Sequence, residues 1–92
     1  MELLINELSD KKFEVIIYAD QETIHKVFIS NQTYLDLTSK KISKKELVKF
    51  SFEFLLEREP NTAILSSFDL TQISKYFPEY FTKLRDYCSM KI

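Results

Sequence analysis

Two runs of residues decide the fold: FEVIIYA at positions 13–19 and TIHKVFIS at positions 23–30. Both are dominated by β-branched and aromatic residues, which are typical of strands. The break at positions 20–22 reads Asp-Gln-Glu, and its length and polar side chains suit a tight turn. The sequence therefore predicts an antiparallel β-hairpin over residues 13–30.

Alternation along the two strands predicts which side chains of the hairpin face the core. Successive side chains of a strand point to opposite faces, so Val27 and Ile29 are expected on one face and Lys26 on the other. We expect Val27 and Ile29 to lie beside Val15 and Ile17 of the first strand. These four side chains form the predicted core face of the hairpin.

The chain around the hairpin is long enough for one core only. It has 92 residues, 45% of them hydrophobic and 29% charged, and a chain of this size buries about 60–65% of its unfolded surface. Residues 1–10 form an N-terminal arm that we interpret as a helical turn, and residues 31–92 form a helical region. The predicted fold class is α+β, with an antiparallel β-hairpin followed by three to four helices in a single compact domain.

Capping patterns place the helices that follow the hairpin. The SKKE sequence at 43–46 is a capping box, and Pro60 stops the roughly four-turn helix that it begins. The DLTQ sequence at 69–72 is a second capping box, in its Asp/Gln variant. Pro78 is suited to the first position of a last helix.

The long helix carries more aromatic residues than one buried face needs. Phe50, Phe52 and Phe54 alternate along it, so their rings spread over two of its sides, and Leu56 widens the apolar surface further. Such a helix is central to the core or faces a partner. We interpret Phe50, Phe52 and Leu56 as a surface that binds a protein partner or a second copy of the chain. Packing of these side chains against the hairpin and the last helix is the alternative.

Four lysines and a capping serine surround the start of the long helix: Lys40, Lys41, Ser43, Lys44 and Lys45. The free amides and the positive dipole end of a helix N-terminus favour an anion, and the lysines make the potential there more positive still. A phosphate or an acidic surface would relieve this conflict. The five residues, together with Lys26 of the second strand, are therefore candidates for binding an anion or nucleic acid. Solvated lysines that keep the domain soluble are the alternative.

The order of elements between residues 25 and 58 is similar to that of ribbon-helix-helix repressors: a strand, a short helix, a polar turn and a longer helix. In that family the strand pairs with its copy in a dimer, and alternate strand side chains read the DNA major groove. The resemblance implies that Lys26, Phe28 and Ser30 contact bases and that Ser43 and its neighbouring lysines anchor phosphates. The first strand of the hairpin, residues 13–19, can also pair with residues 23–30 within the same chain, which would occupy the edge that the dimer needs.

Two absences in the composition bear on catalysis. The chain has no glycine, the residue that phosphate loops, dinucleotide-binding loops and nucleophile elbows use in their tight turns. Zinc and iron sites need three or four converging ligands, and the chain has one histidine, His25, and one cysteine, Cys88. We interpret His25 as an ordinary strand residue and Cys88 as a small apolar residue of a helix. The sequence predicts no catalytic site, no metal and no cofactor.

Net charge and cysteine content indicate the cellular compartment and the class of partner. Thirteen basic and fourteen acidic residues give a net charge of -1, too small to draw a polyanion or a membrane surface to the whole molecule. One cysteine forms no intramolecular disulfide and suits a reducing compartment. The apolar run at residues 3–5 is too short for a signal peptide or a membrane span. We therefore expect a cytoplasmic, non-enzymatic domain that binds a protein partner or itself, with a DNA-binding regulator as the alternative.

Overall fold

The computed structural model describes residues 2–90 and contains one mixed sheet with the strand order β1-β2-β3-β4. The strands are β1 (Glu2–Ser9), β2 (Lys12–Tyr18), β3 (Thr23–Phe28) and β4 (Ser67–Asp69). The first three pair antiparallel with their neighbours, whereas β4 lies parallel to β3. The domain is α+β as predicted. Its sheet is larger than the predicted hairpin and includes a strand that follows two of the helices.

The N-terminal arm is the largest departure from the prediction. A helical turn is expected over residues 1–10, but Glu2–Ser9 is an edge strand that pairs with β2 from one end to the other. Leu3 and Ile5 face the core while Leu4 is 44% exposed, as strand alternation requires. A helical turn this short is marginal in water, and the free edge of β2 offers its backbone a full row of hydrogen-bond partners.

Within residues 2–90, four α-helices follow the third strand: α1 (Asn31–Thr38), α2 (Lys44–Leu56), α3 (Ile73–Tyr76) and α4 (Tyr80–Ser89). The connection from β3 to β4 passes through α1 and α2, as the crossover between parallel neighbours requires. Short 3₁₀ turns at Asn61–Ala63 and Leu70–Gln72 flank β4. This arrangement brings the end of α2, β4 and α3 close together.

The predicted capping residues begin their helices. The Ser43 hydroxyl accepts a hydrogen bond of 3.1 Å from the Glu46 amide at the start of α2. The capping box of Asp69 and Gln72 is complete, since Gln72 Oε1 accepts from the Asp69 amide at 2.9 Å. The last helix begins at Tyr80 and not at the proline two residues earlier, because residues 78 and 79 form a turn.

Burial divides the sheet into two faces. The inner face includes Val15, Ile17 and Val27, which have no exposed surface and pack with the helices; this confirms the predicted core face. The outer face carries the alternate side chains of the strands, among them Leu4 and Ile24, which are 44% and 50% exposed. The inner face thus belongs to the core, and the outer face is open to solvent.

Candidate docking groove

The aromatic side chains of α2 are used mostly inside the fold. Phe52 is fully buried, and the centroid of its ring lies 5.6 Å from that of His25. Phe50 is half-buried and its ring lies 4.8 Å from that of Tyr87 in α4. Leu56 is also half-buried. The helix is therefore central, so Phe52 has no surface to offer a partner, and Phe50 and Leu56 keep only part of theirs.

The lysines around the start of α2 differ in their surroundings. Lys40, Lys41 and Lys45 are exposed. The Lys44 ammonium, by contrast, donates to the Asn31 side chain at 2.6 Å and to a backbone carbonyl of the β1–β2 turn. Lys44 thus ties the start of α2 to the sheet and to α1, whereas the other three lysines are unconstrained by such contacts.

The strand that the repressor resemblance assigns to DNA lies inside the sheet. β3 pairs with β2 along one edge, and its residues 26–28 pair with β4 along the other, so within residues 2–90 only a three-residue stretch of one edge lacks a strand partner. Lys26 projects from the outer face of the sheet, away from the helices that carry Ser43 and the lysine cluster. The structure therefore does not bring the predicted nucleic-acid residues together.

His25 is a buried residue with both ring nitrogens bonded. Its Nδ1 lies 2.8 Å from the Leu65 carbonyl oxygen, which can only accept, so Nδ1 carries a proton. Its Nε2 lies 2.9 Å from the Thr23 hydroxyl, and this hydroxyl accepts a hydrogen bond from the side-chain amide of Asn61 at 2.8 Å. The Asn61 amide also donates to the Gln21 carbonyl at 2.8 Å. This network fixes the segment after α2 against the sheet.

The hydroxyl and thiol groups of the helical layer have internal roles. Ser51 donates to the Leu47 carbonyl at 2.8 Å, so the Tyr80 hydroxyl, 2.6 Å away, donates its proton to Ser51. Burial raises the pKa of Tyr80 well above its usual range. Burial also raises the pKa of the Cys88 thiol, which is 4% exposed. These groups stay protonated at neutral pH, which is the opposite of what a nucleophile needs.

An apolar groove of about 370 Å³ lies between the end of α2, β4 and α3. Its lining includes Leu55, Ile64, Leu65, Phe68, Ile73 and Tyr76. Leu65 and Tyr76 stand at its edge and are 49% and 68% exposed. Large apolar side chains that are this exposed beside a concavity are typical of a surface that another molecule covers. Below, "the groove" means this surface.

The groove is built on fixed supports. His25 holds the Leu65 carbonyl, and Asn61 anchors the turn that leads into the groove. The capping box of Asp69 and Gln72 fixes the turn into α3 on the opposite wall. Each of these hydrogen bonds joins the lining to the sheet or to a helix start.

One acidic residue, Glu59, belongs to the lining of the groove at the end of α2. Glu57 caps the C-terminal end of the same helix and lines a separate depression together with Arg58 and Lys83. A helix C-terminus carries negative potential, so these carboxylates add to it. The one ion pair among residues 2–90 joins Arg58 to Glu79 at 3.1 Å, and Arg58 also donates to the Phe54 carbonyl. Within the described residues, no cation is therefore paired with Glu57 or Glu59.

Sequence reasoning missed Leu65 and Tyr76. Leu65 precedes a three-residue strand and Tyr76 ends a four-residue helix, and both elements are too brief for a periodicity signal. A second depression of about 370 Å³ is lined by Phe50, Phe54 and Tyr87 together with charged side chains. Apolar surface therefore lies beyond the end of α2, at Leu65 and Tyr76, and also beside the aromatic row of the helix.

Two classes of site are absent from the part of the chain that is described. Residues 2–90 contain no group of three or more His, Cys, Asp or Glu side chains that could hold a metal ion. No helix in the same range is both long enough and apolar enough to cross a membrane. Comparison with protein-family models, with curated proteins and with solved structures finds no match to this chain.

Proposed function

We propose that the protein is a non-catalytic interaction domain whose groove docks apolar side chains of a partner protein. The observation that carries the proposal is the groove itself, with its apolar lining and the exposed side chains of Leu65 and Tyr76 at its edge. Tyrosine is enriched among the residues that dominate binding energy at interfaces, because its ring is large and its hydroxyl tolerates water. The proposed partner-binding surface therefore lies at the C-terminal end of α2 and not at its middle, where the sequence predicted it.

The exposed edge favours a protein segment over a small molecule. A ligand pocket usually encloses most of its ligand, whereas Tyr76 is 68% exposed and would be covered only by something that extends beyond the groove. Among the lining residues, Glu59 is the one carboxylate, and histidine and cysteine are absent. This composition supports docking and offers little for acid–base or nucleophilic chemistry.

Charge refines the partner's chemistry. Glu57 and Glu59 add negative charge where the dipole of α2 is already negative, which costs roughly 0.3–1 kcal/mol per charge. A lysine or arginine of the partner, placed beside its apolar side chains, would relieve this repulsion. We therefore expect the partner segment to combine two or more apolar residues with at least one basic residue.

The test is selection from a displayed random peptide library, followed by affinity measurements on the enriched peptides. We expect the enriched peptides to combine apolar and basic residues. Replacing Tyr76→Ser should weaken their binding about tenfold or more, because a central aromatic anchor is lost. Replacing Glu59→Gln should weaken it about three- to tenfold and reduce its dependence on salt.

The matched control is Tyr18→Ser, which removes an exposed tyrosine from the sheet, far from the groove. Tyr18 is 41% exposed and should leave peptide affinity unchanged. Chemical-shift mapping should place the bound peptide beside Leu65 and Tyr76. Enriched peptides that bind the Tyr76→Ser variant as tightly as the original protein would overturn the proposal.

A further inference from the structure

A row of apolar side chains crosses the outer face of the sheet. Leu4, Ile16 and Ile24 are direct cross-strand neighbours on β1, β2 and β3. Leu4 and Ile24 are 44% and 50% exposed, and Ile16 is half-buried. None of the helices in residues 2–90 packs on this face. Three aliphatic side chains side by side in solvent make a surface that another sheet can cover.

Polar residues lie on both sides of this apolar row at matched distances. Two positions away in one direction are Glu2 on β1, Tyr18 on β2 and Glu22 just before β3. Two positions away in the other direction are Asn6, Glu14 and Lys26 on the same three strands. Lys12 lies at the start of β2, four positions from Ile16. The two sides are chemically different and can therefore complement each other.

We propose that the outer face binds a second copy of the chain, sheet on sheet, with a two-fold axis that runs along the row of Leu4, Ile16 and Ile24. Rotation about this axis lays each strand antiparallel on its own copy and reverses positions along the strand. The apolar row then packs on itself. Every polar position on one side of the row meets the position at the same distance on the other side.

The pairs that this axis creates are complementary on all three strands. Lys26 of one copy faces Glu22 of the other, so this lysine meets a carboxylate. On β2, the Tyr18 hydroxyl of one copy faces the Glu14 carboxylate of the other and can donate to it. On β1, the Asn6 side-chain amide of one copy faces the Glu2 carboxylate of the other and can donate to it.

A two-fold axis parallel to the strands would do the opposite. It would keep positions along the strand and exchange the two sides of the sheet, so that Glu2 would face Glu22 and Glu14 would face its own copy. Carboxylates would then meet carboxylates at the centre of the interface, which is destabilising. Charge complementarity of the face with its own copy therefore argues for a second copy as the occupant, and among axes that pass through β2 it selects the one along the apolar row.

The size of the face predicts a reversible dimer. Four strands spaced about 4.8 Å apart and about six residues long give a face of roughly 15 by 20 Å. This is small beside the roughly 800 Å² per partner of a standard stable interface. We expect a dissociation constant on the order of tens to hundreds of micromolar, and the association does not involve the groove.

The first test is sedimentation velocity over a concentration series from about 5 µM to about 500 µM. We expect a reversible monomer–dimer equilibrium. Replacing Ile24→Lys would place two like charges against each other near the axis and should weaken the dimer at least tenfold. The matched control is Leu65→Lys, which adds the same charge to a side chain of equal exposure in the groove and should leave the dimer intact. Circular dichroism of both variants verifies that they fold.

The second test is a charge exchange. Lys26→Glu and Glu22→Lys should each weaken the dimer about threefold or more, and the double variant should recover most of the affinity. Recovery requires the two residues to face each other across the interface, so it tests the direction of the proposed two-fold axis. A chain that stays monomeric at the highest concentration would overturn the proposal, as would a dimer that tolerates Ile24→Lys or a double variant that does not recover.

Discussion

The two faces of the sheet contain similar side chains in different surroundings. Ile17 on the inner face has no exposed surface, while its neighbour Ile16 is half-buried, and Ile24, the partner of Ile16 on β3, is 50% exposed. Helices cover one face, and the other has only solvent above it. The comparison teaches that hydrophobicity along a strand does not by itself tell which face a fold will bury, because both faces can carry aliphatic residues.

The largest expected difference between the faces is in the free energy of unfolding of two neighbouring isoleucine variants. Ile17→Ala opens a cavity in a closed core and should cost about 2–5 kcal/mol. Ile16→Ala removes cross-strand contacts on a half-solvated face and should cost less than about 1 kcal/mol. Urea denaturation of both variants at low micromolar concentration measures the difference in monomers. Equal losses would mean that the outer face is covered in solution by something that the monomer does not contain.

A similar comparison applies to the adjacent residues His25 and Lys26. His25→Leu keeps the volume of the side chain but removes its hydrogen bonds to Leu65 and Thr23, so it should cost about 2–3 kcal/mol. Lys26→Leu changes a side chain that points to solvent and should stay within about 0.5 kcal/mol. Thermal or urea unfolding measures both values.

Hydrogen exchange of His25→Leu adds a local measurement. The segment at 61–66 is tied to the sheet through His25 and Asn61, so its amides should exchange faster in this variant than in Lys26→Leu. Unchanged protection of these amides would show that the groove is held without the histidine. In that case the lining would depend on the packing of Ile64 and Phe68 alone.

The sequence predicted the inner face well because the evidence for it is local. The hairpin follows from two β-branched runs and a polar break, and the burial of Val27 beside the Val15 row follows from alternation. Capping boxes at Ser43 and Asp69 located two helical starts, since a cap is a contact between residues three apart. These features depend on short stretches of chain and needed no knowledge of the rest of the fold.

The rest of the fold depends on contacts between distant residues. β1 is a strand because β2 has a free edge, and β4 is a strand because the chain returns to β3 after about forty residues. Three residues such as Ser67–Asp69 carry no periodicity, so the groove that they line could not be foreseen. The burial of Phe52 corresponds to the core-packing alternative, but its contact with Phe68 could not be foreseen, because Phe68 belongs to that same short strand.

Two tyrosines extend the comparison to pH. Burial raises the pKa of Tyr80, so unfolding releases its proton once the pH exceeds about 10, the usual value for tyrosine. Its contribution to stability is therefore complete below about pH 10 and is lost as the pH rises toward the higher pKa of the folded state. In this range the free energy of unfolding should fall by up to about 1.4 kcal/mol per pH unit because of Tyr80.

Replacing Tyr80→Phe isolates this effect. At pH 7 the variant should lose about 0.5–1.5 kcal/mol, because the hydrogen bond to Ser51 is gone. Above pH 10 its stability should fall less steeply than that of the original protein, so the two curves converge. Tyr18→Phe, on the exposed outer face, is the control and should change the free energy of unfolding at pH 7 by less than about 0.5 kcal/mol at low micromolar concentration. Parallel curves for Tyr80→Phe would mean that water reaches this hydroxyl.

The smallest expected effect belongs to a contact on the outer face. The Lys12 ammonium lies 5.3 Å from the centroid of the Phe28 ring, and the two residues are cross-strand partners. A cation–π contact at an exposed site contributes about 0.5–1 kcal/mol. A double-mutant cycle with Lys12→Met and Phe28→Leu at low protein concentration should return a coupling energy in this range. In the proposed dimer the turn that follows β2 in the second copy lies over this end of β2, so the coupling between Lys12 and Phe28 should become smaller at high protein concentration. A coupling that does not change between the two concentrations would show that Lys12 has the same surroundings in both, and would separate this corner of the sheet from the dimer interface.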